Sequence, residues 1–298
     1  MSDTSAIVAS ARRLGLALPA FNIPYLPMVE PVLAALRDSG TFGLVEVARV
    51  EWEKFEARSL EAVAEEYRRH DNRLCSRLHL DHVPVIDEDG LRVDFLPIIE
   101  RALAAGFESV MVDGSRLPFD ENVAAARSVV ELCGPAGVAV EAELGSVLGH
   151  EAGPLPPYEE LFRTGTGFTD PADAARFVAA AGVDWLSVAI GNVHGAVAES
   201  ARKEKKIEAR LDLERLSKIY AAAGVPIVLH GGTGIKPDNV RAAVARGIAK
   251  INIGTGIRAP YEAALARGPA AARDAAYRAT LAEIETLGLG GNAVRLVG

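Results

Sequence analysis

ALAAGFESVMVDG, residues 102–114, carries one structural unit from end to end. An Ala/Leu segment that suits a helix runs into Gly106, the residue type that best ends a helix in the left-handed conformation. An apolar, partly β-branched run follows, fit for a buried strand, and it stops on Asp113. The same order recurs outward in both directions. "AAGV" and "ARGI" set Gly182, Gly224 and Gly247 ahead of further apolar runs. Strand-like bursts lie at 17–22, 42–48, 74–81, 109–114, 137–145, 185–191, 225–232 and 248–254. Segments of helical period fill 27–39, 93–105, 119–132, 171–181, 212–223 and 237–246. Asp170 followed by Pro171 reads as an N-cap and first helical residue, and Pro237 opens another helix in the same way.

Eight strand–helix units in 298 residues predict a closed (β/α)8 barrel, the TIM-barrel arrangement of the α/β class, as a single domain over 1–298 with a C-terminal helical segment. A doubly wound sheet is disfavoured, because no G-x-G-x-x-G follows the first strand. The Gly- and Pro-rich stretch 146–169 is too long for a plain connector and reads as an active-site loop.

Composition narrows the function. A 49% hydrophobic and 24% charged chain can bury a full core. The net charge of −8, with no concentrated basic face, argues against nucleic acid as a partner. Cys75 and Cys133 fit neither a zinc ribbon nor a disulfide framework and read as small buried hydrophobes. The N-terminus lacks the apolar core of a signal peptide, and no apolar run reaches membrane-spanning length. A cytoplasmic location away from membranes is the expectation.

In such barrels the C-terminal strand ends carry the chemistry. Here they read Asn22, Glu46, Asp81 with His82, Asp113, Glu143, Asn192 with His194, His230 and Asn252. Of six histidines, His82, His194 and His230 end strands three, six and seven. Any one alone reads as a hydrogen-bonded loop residue. Three at equivalent positions read as ligands of one metal ion with a position left open for substrate. His79 reads as structural, and His70 as a solvated helix end. "HGGTG" (230–234) and "NIGTG" (252–256) follow neighbouring strands. Their backbone N–H groups suit either ordinary tight turns or a phosphate cradle.

The motifs "AFN", "LHLDH", "GFESVMVDGS", "GVAVEAELG", "TDPADAARFVAAAGVDWLSVAIGNVHG", "VPIVLHGGTGI" and "GIAKINIGT" resemble, in order and spacing, the class II fructose-bisphosphate and tagatose-bisphosphate aldolases over roughly residues 5–260. The resemblance implies a zinc-dependent barrel that makes or cleaves a carbon–carbon bond next to a ketone. It implies that His82, His194 and His230 bind one catalytic Zn2+, with Glu143 as an alternative ligand. Other divalent transition metals suit the same imidazoles, and a monovalent cation beside the site is a further expectation. Asp81 matches the acid/base at the hydroxyl of the cleaved bond. Glu151 matches the loop glutamate that moves the proton at carbon, and Asn252 the residue that holds the enediolate. Asn22, Gly195, Gly231, Thr233, Gly254 and Thr255 fall at substrate and phosphate contacts. A sugar-phosphate substrate and a homodimer or homotetramer complete the expectation.

The departures lie where substrate ends are gripped. The family commonly has a serine in the second strand-end motif, and "EVARV" offers Ala48 and Arg49. After His194 the family usually has a Tyr and, in the fructose type, a phosphate-binding Lys; here Val197 and Ala198 follow. Gly254 replaces the Asp of the fructose type, the stretch 152–168 is unlike the usual loop, and no C-terminal arginine matches. These changes point to a ketose phosphate other than the standard bisphosphates, with dihydroxyacetone phosphate or a relative as donor. Arg49 and the run 201–210 are candidate replacement cations, the run equally a solvated helix face. Two competing readings are a barrel hydrolase, disfavoured because "PAFNI" lacks an H-x-H pair, and a non-catalytic sugar-phosphate-binding descendant.

Overall fold

The computed structural model describes residues 3–70, 73–146, 158–193 and 209–297. Eight parallel strands close into one barrel in chain order. They are β1 (Leu18–Asn22), β2 (Gly43–Ala48), β3 (Ser76–Pro84), β4 (Ser109–Asp113), β5 (Ala139–Leu144), β6 (Trp185–Val188), β7 (Ile227–Leu229) and β8 (Ile248–Ile253). Closure pairs β1 with β8, Leu18 opposite Lys250 and Ala20 opposite Asn252. The expected bursts match these strands to within a few residues, because a strand covered by side chains inside and by helices outside must be apolar on both faces.

The expected helix punctuation is present. Asp170 accepts hydrogen bonds from the backbone N–H groups of Ala172 (2.8 Å) and Asp173 (3.1 Å), and Pro171 opens the helix Pro171–Ala181. Gly106, Gly182, Gly224 and Gly247 all have left-handed φ, from +74° to +112°. At Gly247 a second reason applies, since a Cβ there would come 2.0 Å from Cδ2 of Tyr220. Cys75 and Cys133 are buried thiols. His70 ends the helix Leu60–His70 beside Glu66, partly exposed.

The stretch 146–169 is not loop throughout. Its part from 147 to 157 lies outside the described residues, but Tyr158–Thr164 forms a helix. Its end is tied to the barrel: buried Thr169 donates to Leu144 O and its hydroxyl accepts from Ala189 N (2.9 Å). Among the described residues, no helix is long and apolar enough to cross a membrane.

The lower end of the barrel is closed by the helix Asp3–Leu14. Its Ile7, Val8 and Ala11 pack with Leu18, Leu44, Trp185 and Ala249 in an apolar cluster. Above this cluster the interior turns polar. Glu46, His79, Glu141 and Lys250 are all fully shielded from solvent. Glu46 was expected at the mouth with the other strand ends. It lies inside instead, because β2 continues through Val47 to Ala48, and Ala48 is the residue opposite Asp81.

Candidate active site

The strands place side chains in rungs, because residues two apart on a strand share a face. His79 and Asp81 on β3, Glu141 and Glu143 on β5, and Lys250 and Asn252 on β8 are such pairs. The first of each pair belongs to the buried interior and the second lies nearer the mouth.

β3 departs from this rule at the decisive point. Its register against β4 runs Leu80 opposite Val110, then Val83 opposite Val112, so β3 carries one extra residue across Asp81 and His82. Such a bulge re-aims side chains. It explains how two neighbouring residues, which would alternate in a flat strand, both serve one site. Asp81 meets Asn22 and Asn252: Asn22 Nδ2 donates to Oδ2 (2.8 Å) and Asn252 Nδ2 to Oδ1 (3.0 Å). His82 turns the other way, to Asp113 and His230.

Each imidazole is gripped by a carboxylate on its far nitrogen. His82 Nδ1 lies 3.0 Å from Asp113 Oδ2, and His230 Nε2 lies 2.8 Å from Glu141 Oε1. Asp113 is itself held by the hydroxyl and backbone N–H of Ser115. The near nitrogens, His82 Nε2 and His230 Nδ1, face each other at 2.7 Å with the rings almost perpendicular. Carboxylate-oriented imidazoles with their other nitrogens converging are how proteins hold metal ligands. Ligand atoms of Asp81, His82 and His230 lie within 4.8 Å of one another, as do those of His82, Asp113 and Glu143. The donor set of imidazole nitrogens with a carboxylate fits a divalent transition metal.

Electrostatics follow from the burial. Burial by itself would raise the Asp81 carboxyl, but His82, His230 and Lys250 overcome it and hold the group well below the usual carboxylate range. Burial opposes the charged form of His82, yet Asp81 and the hydrogen bond it donates to Asp113 push that imidazole well above its ordinary value. His230 is lowered by burial and by the charge of His82. Glu141, despite burial, is lowered to about 2 by Lys250 and His230. Glu143 is raised well above its usual value by burial and by Asp113, with Ser187 Oγ 3.1 Å from its Oε2.

The two glycine-rich turns meet beside this cluster. Gly232 N donates to Asn252 O (3.1 Å), and Gly256 N to Thr233 Oγ1 (3.1 Å). A Cβ on Gly232 would lie 2.7 Å from Ile251 Cγ2, so only glycine permits this approach. Gly254 and Thr255 start the helix Thr255–Ala264, whose N-terminal amides and dipole favour an anion. The turns that carry Gly231, Thr233, Gly254 and Thr255 are therefore neighbours.

Asn22, Asp81, His82, Glu143, His230 and Asn252 converge on the mouth. His194, Glu151 and Gly195 lie outside the described residues, as does 201–208 of the basic run. Arg49, a candidate substrate cation, lies 3.5 Å from Asp87 in an ion pair. The sequence reading missed Glu141 and Lys250. Their signal was present: a charge two residues before Glu143 and before Asn252 within otherwise apolar strands.

A family model of the class-II fructose-bisphosphate aldolases matches residues 2–287. The chain belongs to that family. It is an aldolase, a lyase of a family that is generally metal-dependent, and the hydrolase and non-catalytic readings fall away. The YdjI aldolase from Escherichia coli K12 is similar over 98% of this chain and 99% of its own, with 26% identity and a TM-score of 0.76. A protein proposed as a fructose-1,6-bisphosphate aldolase from Coccidioides immitis is 26% identical, covering 97% and 96% of the two chains with a TM-score of 0.75. The fructose-bisphosphate aldolase of Campylobacter jejuni shares the fold, at 18% identity, 98% and 96% coverage and a TM-score of 0.73.

Proposed function

We propose that this aldolase makes or cleaves the bond next to the ketone of a phosphorylated ketose, with dihydroxyacetone phosphate or a close relative as donor and a non-standard aldehyde as acceptor. The observation that carries the reading is the 2.7 Å approach of His82 Nε2 and His230 Nδ1 beside an amide-held Asp81. His82 and His230, with His194 from outside the described residues and Glu143 as an alternative, would hold a zinc ion. That ion, when bound, supplies Lewis acidity at the ketone oxygen, worth several kcal/mol of barrier.

The chain's own groups do the rest. Asp81 stays ionised and takes the proton of the substrate hydroxyl as the bond cleaves, returning it in synthesis. Asn22 and Asn252 fix the direction of its two oxygens. Asn252 also serves as a donor to the enediolate oxygen, and Glu151 moves the proton at the donor carbon. Thr233, Thr255 and the amides of Gly231 and Gly254 bind the phosphate. A cavity lined by Ala48, Val50, His82, Ile86 and Arg116 opens beside the site and suits the acceptor end.

The test is proton exchange. Incubated with dihydroxyacetone phosphate in deuterated water, the protein should label the hydroxymethyl carbon, and a chelator should abolish labelling. No labelling by the metal-loaded protein would reject this donor. Asp81→Ala should keep its metal and lose cleavage by about 10²–10⁴-fold.

A further inference from the structure

The two imidazoles that face each other at the mouth are each held from behind, by different means. Asp113, the partner of His82 Nδ1, is held by the hydroxyl and backbone N–H of Ser115, close by in the chain. Glu141, the partner of His230 Nε2 at 2.8 Å, is held from across the barrel: Lys250 Nζ donates to its Oε2 at 3.0 Å. The line Lys250–Glu141–His230 runs from β8 to β5 to the end of β7. All three side chains are buried, Lys250 and Glu141 fully.

A buried ammonium is costly, and a carboxylate at hydrogen-bond distance offsets part of that cost. Such a pair could be structural and nothing more. Here, however, the two oxygens of Glu141 are divided, Oε2 to Lys250 and Oε1 to His230. The terminal torsion of a glutamate is broad, so one contact leaves the carboxylate plane free to turn. Contacts on both oxygens fix it. His79 Nε2 stands 3.7 Å from the same Oε2 but makes no hydrogen bond, so Lys250 is the donor that holds this oxygen.

We propose, resting on the reading of His230 as a metal ligand, that Lys250 is a positioning residue for that ligand. By holding Oε2 it aims Oε1 at His230 Nε2, which turns Nδ1 toward His82 Nε2, 2.7 Å away. Lys250 is itself well fixed, since its strand pairs on both sides, Lys250 opposite Leu18 of β1 and opposite Val228 of β7. Lys250 also lies 3.3 Å from Glu46, whose two oxygens have no hydrogen-bond partner among the described residues. Its hydrogen-bonded route to an imidazole is therefore through Glu141.

The test reads Co2+ binding to the whole chain, stripped of metal and without substrate, by visible absorption and chelator competition. Lys250→Met should weaken Co2+ binding about 10–100-fold and alter the spectrum of the saturated site. Glu141→Gln, which offers one acceptor oxygen to two donors, should do the same. Lys250→Met/Glu141→Gln should match Glu141→Gln within about 2-fold, because residues acting in one line are not additive. Glu46→Gln alone should stay within about 2-fold of wild type. Lys250→Met/Glu46→Gln removes one charge of each sign, so it carries the measurement if Lys250→Met fails to fold; it too should lose about 10–100-fold. A Lys250 that only stabilises the barrel predicts lower resistance to denaturant with wild-type Co2+ affinity in the folded fraction. That result, a Lys250→Met/Glu141→Gln loss equal to the product of the two single losses, or a Glu46→Gln loss as deep as that of Lys250→Met would overturn the proposal. His230→Ala tells the two readings apart. If it retains Co2+, the ligand reading fails and takes the role of Lys250 with it; if it loses Co2+ while Lys250→Met keeps it, the role of Lys250 fails alone.

Discussion

At the lower end of the barrel, Ile7 and Val8 pack on Leu18, Leu44, Trp185 and Ala249; the barrel interior also buries Glu46, Glu141, Asp81 and Lys250. Both regions are buried, and they bury opposite things. The lower one removes apolar surface from water, the main favourable term in folding. The upper one must neutralise charges with one another, and groups left short of partners, such as Glu46, are tolerated there. The comparison teaches that one end supplies the free energy that the other end costs.

Three substitutions bear on this division. His230→Ala, at the upper end, should abolish tight metal binding and lower cleavage by about 10³-fold or more, as loss of several kcal/mol of barrier lowering requires. Metal analysis of the purified variant checks the first half. Retained metal at full stoichiometry would remove His230 from the ligand set. Trp185→Ala, at the lower end, should cost about 3–5 kcal/mol of stability while leaving the folded fraction able to bind metal. Denaturant unfolding with metal titration reads both, and weakened metal affinity in the folded fraction would show that the two ends are not separable. The smallest effect is expected outside both regions. Asp170→Ala removes a helix cap and should cost about 1 kcal/mol with kcat unchanged.

Much of the upper end was legible in the sequence. Asp81, His82, His230 and Asn252 are polar residues closing apolar bursts, and strand ends of a barrel have few other uses for them. Glu46 looked equivalent and is not, because strand length in three dimensions decides which residue reaches the mouth. Glu141 and Lys250 were passed over because a charge inside a strand carries no meaning until the facing strands are known. His230 is what makes Glu141 an orienting carboxylate, and they lie far apart in the chain. The helix Tyr158–Thr164 was hidden by the Gly and Pro residues on either side of it.

Local chemistry by itself determined the order of helices and strands: periodicity, Gly stops and Pro starts act within a few residues, so eight units and a barrel follow from the chain alone. Only the tertiary structure decided which polar groups meet. The bulge across Asp81 and His82 sends two neighbours to different partners, and closure of β8 on β1 brings Asn252 and Asn22 to the same carboxylate. Contacts between distant segments depend on register and closure, and no single stretch of chain encodes either.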